Sequence, residues 1–312
     1  MQAADAAPLL LVHGGAGALP RLLDERQTRA IGEALAQALR QGLAVLQDHG
    51  RALDAVVAAV TVLEDAPWFN AGRGAVYTAE GRHELDAAVM EGSTLRAGSV
   101  AGVRCVRNPV QLAHAVLERS PHVMLSGAGA DAFARQAGLP VVENTYFDTP
   151  QRENEWRAWQ AQAGAGTSHY GTVGAVARDA QGTLAAATST GGMTGKRWGR
   201  IGDSALIGAG TCADAHAAVS CTGWGEFFIR TCAAHAICSR IAAGETPSGA
   251  AAALVLRQIP ALGGSGGAIV LVSDGGYALV FGTEGMYRGA IGADGVPRVA
   301  IAPGPLRPAA ES

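Results

Sequence analysis

A threonine at the end of a run of small residues is the first place in this sequence where chemistry could be done. Ala163-Gly164-Ala165-Gly166-Thr167-Ser168 leads to Gly171-Thr172, after which residues 172–178 read as a strand. A threonine hydroxyl is a poor nucleophile without a base beside it. Breaking the Gly171–Thr172 bond would supply one, because a free α-amine has a pKa of about 7.7 to 8.0 and is partly neutral at physiological pH. Gly171 suits such a junction, since glycine tolerates strained backbone. Taken alone, however, the dipeptide is most often just a β-branched residue opening a strand. Two further groups invite chemistry. Arg200 and Asp203 could grip an α-amino acid, the guanidinium holding its carboxylate and the carboxylate its ammonium, although a surface salt bridge is the commoner fate of such a pair. Gly263-Gly264-Ser265-Gly266-Gly267 contains the G-x-S-x-G pattern of a nucleophile elbow.

The elements that must position these residues come in clusters. Residues 9–12 read as a buried strand running into a His13-Gly14-Gly15-Ala16-Gly17 loop, with a helix over about 24–47 and another over 53–63. An irregular stretch from Asp65 to Gly72 follows, then strand near 100–106 and helices over 109–118 and around Ala130. Residues 143–169 are polar and lose apolar periodicity, which predicts a flexible linker. Strands over 172–178 and 183–190 flank an Asp179-Ala180-Gln181-Gly182 turn. Beyond them, the pattern predicts a strand at 217–221, helices over 226–243 and 248–258, and a hairpin of 268–272 with 277–281. Clustered strands and helices point to helices covering paired sheets.

Composition excludes several classes. The chain of 312 residues can bury a real core, and its net charge of -3 carries no basic cluster, so nucleic acid is not expected as a partner. Five cysteines without a C-x-x-C pair argue against a disulfide framework and for a reducing, cytoplasmic setting. No apolar run reaches the roughly 18 residues of a membrane span, and no export signal opens the chain. The 43 glycines, bunched in short runs, predict a site framed by main chain.

A series of segments then carries a resemblance: Gly171-Thr172-Val173-Gly174-Ala175-Val176, Ala187-Thr188-Ser189-Thr190-Gly191-Gly192-Met193-Thr194, and Gly199-Arg200-Ile201-Gly202-Asp203-Ser204. With His13 to Gly17, Phe69-Asn70-Ala71-Gly72, Leu85-Asp86-Ala87, Ser220-Cys221-Thr222-Gly223 and Leu262 to Gly267, they follow one another in the order of the plant-type asparaginase and isoaspartyl peptidase family. The chain resembles that family over nearly its whole length, residues 143–169 and the last few excepted.

The resemblance implies an α+β fold, a four-layer αββα sandwich of the N-terminal nucleophile hydrolase type. It implies one domain over residues 1–312, cut into 1–171 and 172–312, with a linker over about 143–171. Thr172 would attack the amide carbon with its own amine relaying the proton, and Thr190 would hydrogen-bond the nucleophile's oxygen. The Thr222 hydroxyl and Gly223 N–H would form an oxyanion hole, and Asn70 would help arrange the nucleophile. Arg200 and Asp203 would hold the α-carboxylate and α-amine of an L-aspartyl unit, with Thr222 and Gly223 also lining the substrate. The substrates implied are L-asparagine and β-aspartyl dipeptides, and two αβ units would pair as a dimer of heterodimers. No cofactor is implied for catalysis, but main-chain carbonyls of Leu63, Glu64, Ala66, Phe69, Ala71 and Arg73 would hold a structural sodium ion. Trp198 and Trp224 depart from the family pattern on the leaving-group side.

Two other readings stand beside this one. A serine hydrolase using Ser265 needs a strand before the serine and a helix after it, whereas the sequence predicts the reverse order, and no histidine follows His235. A chain that never cuts itself would act as an amino-acid binder or scaffold. Gly195-Lys196 lacks the spacing of a phosphate-binding loop.

Overall fold

The computed structural model describes residues 7–17, 24–162 and 171–309. The small-residue run before the proposed junction, residues 163–170, lies outside them.

The chain begins with β1 (Leu9–Gly17) and two helices, α1 (Glu25–Gln47) and α2 (Ala52–Asp65). Asp24 starts α1 in a capping box, its side chain accepting from Gln27 N while the Gln27 side chain accepts from the Asp24 backbone N–H. Next come β2 (Leu85–Glu91), β3 (Ala97–Val103), α3 (Pro109–Arg119), β4 (Met124–Ser126), α4 (Gly127–Gln136) and α5 (Pro150–Ala161). The second half opens with the hairpin β5 (Val173–Arg178) and β6 (Leu184–Thr190). It continues through β7 (Thr211–Ala213), β8 (Ala217–Gly223), α6 (Gly225–Thr231), α7 (Ala233–Ala242), α8 (Pro247–Ala252), β9 (Gly266–Val272), β10 (Tyr277–Phe281), β11 (Gly285–Ile291), β12 (Arg298–Ala300) and β13 (Arg307–Pro308).

Among the described residues the strands form two sheets. Nine lie in the order β13-β12-β11-β1-β5-β6-β2-β3-β4 and four in the order β10-β9-β8-β7. Side chains alternate across the large sheet because a strand's period is two. Val173, Ala175, Ala177, Ala185 and Ala187 face α1, α2 and α3 in one core, while Val176, Leu184 and Ala186 face the small sheet and α7 and α8 in a second core. The result is helices, sheet, sheet, helices, a mixed α and β fold. Each fully buried Leu or Val contributes roughly 1.5 to 3 kcal/mol, so both cores are substantial. No helix among the described residues is long and apolar enough to cross a membrane.

Four expectations are corrected. His13 to Gly17 is not a loop: β1 runs through it with a register shift between His13 and Gly15, a bulge that the glycines permit. Residues 150–161 of the expected linker form α5, capped by the Thr149 hydroxyl, because Trp156 stacks on Tyr77 (centroids 5.4 Å apart) and Arg152 Nε donates to Gly74 O at 2.7 Å. The helix expected over 226–243 breaks at Cys232, which takes a left-handed φ of 45°, after Thr231 turns its hydroxyl onto Phe227 O. The helix expected over 248–258 ends its α-turns at Ala252 and continues as a π turn. The elbow reading of Ser265 also fails on geometry, since a helical turn precedes the serine and β9 follows it.

Candidate active site

Thr172 stands immediately before β5, buried, in the middle of the large sheet. Its neighbours are set by register. Gly174 pairs with Thr188 and Val173 with Ser189, which places Thr172 beside Thr190 at the end of β6. On the other side lies β1, where a methyl group on Gly15 would come within 3.4 Å of Thr172 N.

The carbonyl preceding Thr172 is held by two donors. Gly171 O accepts from the Thr190 hydroxyl at 2.8 Å and from Asn70 Nδ2 at 3.0 Å. Neither donor is free to turn away. Asn70 Nδ2 also donates to Gly192 O at 2.8 Å and its Oδ1 accepts from Val76 N at 3.0 Å, while Thr190 Oγ1 accepts from Gly192 N at 3.0 Å. The adjacent Ser189 hydroxyl donates to Glu64 Oε1 at 2.6 Å, tying β6 to the end of α2, and burial pushes the Glu64 carboxyl up to about 8. Two fixed donors on one carbonyl oxygen are what stabilises the negative charge that a nucleophile's attack puts there.

Thr222 and Gly223 end β8 across the gap between the sheets. Thr222 Oγ1 accepts from Ala16 N at 3.1 Å, leaving the hydroxyl's own proton to donate elsewhere. Gly223 has a φ of 142°, and a side chain there would run into Gly266 Cα and Ser265 O, each 2.5 Å from its first carbon. Only glycine fits.

A charged corner adjoins them. A methyl group on Gly225 would lie 2.7 Å from Asp203 Oδ1 and 2.9 Å from Arg200 Nη2, so both side chains converge over that glycine. They do not pair with each other as a surface salt bridge would. Arg200 is gripped by Glu226, with Nε to Oε1 at 2.9 Å and Nη2 to Oε2 at 2.8 Å. Asp203 is buried with Oδ2 lacking a hydrogen-bond partner, and burial, opposed in part by Arg200, pushes its carboxyl up to about 7. Gly225 and Glu226 were missed from the sequence, where Glu226 reads only as an acidic residue in a helix's first turn. Trp198 is 94% exposed at a left-handed φ of 58°, and Trp224 is 37% exposed with its ring edge-on to Phe227.

The carbonyls named for sodium run from the last turn of α2 into the loop after it. That loop folds tightly on itself: a methyl group on Gly72 would collide with Glu64 O, and one on Gly74 with Phe69 O. Main-chain oxygens gathered at the C-terminal end of a helix suit a hard cation. Among the described residues no group of three or more His, Cys, Asp and Glu could hold a metal.

The relatives of this chain mark it as an enzyme of the hydrolase class. A family model described as asparaginase matches residues 6–301, and the chain belongs to that family. It is 48% identical over 281 residues to the isoaspartyl peptidase of Salmonella typhimurium, covering 86% of this chain and 90% of the relative. The Escherichia coli isoaspartyl peptidase is 46% identical over 281 residues (86% and 87%), and the Danio rerio isoaspartyl peptidase/L-asparaginase 40% over 277 (86% and 87%).

Proposed function

We propose that this protein cuts itself between Gly171 and Thr172 and then hydrolyses the side-chain amide of L-aspartyl units, in β-aspartyl dipeptides and in L-asparagine. The observation that carries the reading is the pair of donors on Gly171 O, a cradle built around the one bond whose scission would arm Thr172. The Thr172 hydroxyl attacks the Gly171 carbonyl carbon, and the oxygen's charge falls on Asn70 and Thr190. Collapse breaks the C–N bond, the hydroxyl's proton passing to the departing nitrogen, so that an ester to Thr172 remains and its amine is free; water then hydrolyses that ester to the Gly171 carboxylate and the Thr172 hydroxyl. The same hydroxyl next attacks the substrate's amide carbon, the amine taking its proton and passing it to the leaving group, and water then cleaves the resulting ester to L-aspartate and the free Thr172 hydroxyl. Thr222 and Gly223 would serve the substrate's oxyanion.

Arg200 and Asp203 fit the two charged ends of the aspartyl unit. Glu226 takes the Nε edge of the guanidinium, so the Nη1 edge is the one a substrate carboxylate would meet, and ionised Asp203 Oδ2 would accept the ammonium. Asparagine would lose ammonia, and a dipeptide an amino acid, from the same carbonyl. The mature pieces 1–171 and 172–312 would stay together as one N-terminal nucleophile hydrolase domain and pair as a dimer of heterodimers. A sodium ion on the carbonyls of Leu63, Glu64, Ala66, Phe69, Ala71 and Arg73 would stiffen the loop that carries Asn70.

The test is intact mass and amino-terminal sequencing of purified protein. Wild type should give a fragment beginning Thr-Val-Gly-Ala that is active on both substrates, and Thr172→Ala should stay full length and inactive. A Thr172→Ala protein that is cut and active would sink the mechanism, and a wild-type chain that never cuts would leave the amino-acid binder.

A further inference from the structure

Both donors on Gly171 O are braced on one small residue. Gly192 N donates to Thr190 Oγ1 at 3.0 Å and Gly192 O accepts from Asn70 Nδ2 at 2.8 Å, so the place of this glycine sets the aim of the hydroxyl and of the amide. It lies in the turn that follows β6, at a φ of 87°. A glycine has no side chain with which to hold itself, and its backbone is the least restrained of any residue's.

Lys196 occupies the space that a side chain would take. A methyl group on Gly192 would lie 2.9 Å from Lys196 Cδ, 3.0 Å from Nζ and 3.4 Å from Cε, so the outer half of the lysine covers the open side of the glycine. The lysine is itself tied at both ends. At its tip, Nζ donates to Glu84 O at 2.7 Å, one residue before β2. At its base, the Lys196 N–H donates to Met193 O at 3.1 Å and the Lys196 carbonyl accepts from Ala79 N at 3.0 Å, while the neighbouring Gly195 N–H donates to Tyr77 O at 2.8 Å.

The anchor falls beside the strand that Thr190 pairs with. Strand β2 meets β6 in a register that sets Asp86 opposite Thr190, and Glu84 is two residues from that rung. The contacts therefore close a ring: Thr190 to Gly192, Gly192 to Lys196, Lys196 to the start of β2, and β2 back to Thr190.

A lysine is a costly way to fill this space. Its side chain is buried, its ammonium bonds a carbonyl rather than a carboxylate, and burial lowers its pKa against the partial opposition of Asp86 and Glu84. An apolar side chain of similar length, such as methionine, would cover the glycine without desolvating a charge. Methionine could not, however, bring a donor to the Glu84 carbonyl. That hydrogen bond is what the lysine adds, and it fixes the side chain that lies on Gly192.

We propose that Lys196 is a positioning residue for self-cleavage: anchored on Glu84 O, it holds Gly192 where that glycine aims Thr190 and Asn70 at the Gly171 carbonyl. This rests on the reading of Gly171–Thr172 as the bond that is cut. A donor displaced by about 1 Å from a reacting oxygen can cost about 10²-fold in rate.

Lys196→Met keeps the bulk against Gly192 and removes the anchor. Its cleavage, followed by intact mass from freshly purified precursor, should run about 10- to 100-fold slower than that of wild type. A loosened fold would also slow cleavage, so Lys196→Met is paired with Thr190→Val. If Lys196 acts through Thr190 and Asn70, the factor lost to Lys196→Met should shrink by at least about threefold in the Thr190→Val background, where one of its two routes is already gone. Cleavage of Lys196→Met at the wild-type rate, or the same factor in both backgrounds, overturns the proposal. If Lys196→Met does not fold, NMR of the uncut Thr172→Ala chain decides. A nuclear Overhauser contact between the Lys196 ε-methylene and the Gly192 α-protons, with a slowly exchanging Gly192 amide, supports the proposal; a missing contact or a freely exchanging amide overturns it. A wild-type chain that never cuts, or a Thr172→Ala chain that does, removes the underlying reading instead, so the two failures are distinguishable.

Discussion

The neutral corner of the site and its charged corner are built on opposite plans. Around Gly171 O every donor is uncharged, already bonded at 2.8 to 3.0 Å and cross-braced through Asn70, Thr190 and Gly192. At Arg200 and Asp203 one charge is engaged by a resident carboxylate, Glu226, and the other has an oxygen with no bond at all. The first corner is complete before any substrate arrives. The second is incomplete, as the proposed capture of an aspartyl unit would require, because buried charge left unsatisfied is costly and a ligand that satisfies it recovers that cost. A carbonyl that belongs to the chain can be held in advance, whereas a visiting amino acid has to find its partners waiting.

The difference can be broken or sharpened by substitution, beginning with the largest effect. Removing one neutral donor, by Asn70→Ala or Thr190→Val, should slow self-cleavage by about 10²- to 10³-fold on a denaturing-gel time course. Cleavage at the wild-type rate would show that the cradle holds the carbonyl without helping its chemistry. Arg200→Ala should raise KM by roughly 10- to 100-fold, the worth of a hydrogen-bonded charge, with kcat little changed. An unchanged KM would remove Arg200 from substrate capture.

A pH series probes the other half of the charged corner. On the proposed reading Asp203 would bind an ammonium group only when ionised, and its carboxyl is pushed up to about 7, so KM should climb as pH falls from 8 to 6, approaching tenfold per unit below 7. The sign follows from the protonated form being neutral. Asp203→Asn should raise KM and flatten its pH dependence over that interval, and a slope that persists in this variant belongs to another group. The smallest effect is expected of Glu226→Gln, a few-fold rise in KM as the guanidinium loses its anchor, since Glu226 is partly exposed and its ion pair partly screened. A fall in KM would mean that Glu226 competes with the substrate for Arg200.

Neither corner was legible from local pattern alone. The strand pattern on either side of the Asp179 to Gly182 turn marks a hairpin whose register brings Thr172 and Thr190 together, but their roles came from the family resemblance, whereas Arg200 and Asp203 stood out by residue type. Asn70 entered only through the family resemblance, because nothing in an irregular loop says where it returns. Glu226 was invisible for a similar reason: its partner is 26 residues away and reached across a break in regular structure. The bulged strand at His13 to Gly17 was read as a loop because glycines weaken the strand signal that pairing with β11 restores. Strand β2 was overlooked because it is buried on both faces, which erases the alternation that marks a half-exposed strand.

The strand order β11-β1-β5-β6-β2 has a consequence for the molecule's history. Strands β1 and β2 precede Thr172 in the chain while β5, β6 and β11 follow it, so the large sheet is woven from both sides of the proposed cut. Before scission, refolding is a unimolecular search. Afterwards it would require two separate polypeptides to meet and interleave strand by strand, a second-order process that slows on dilution. A heated and diluted mature enzyme should therefore stay unfolded where the Thr172→Ala chain recovers, and its persistence would be governed by how slowly it comes apart.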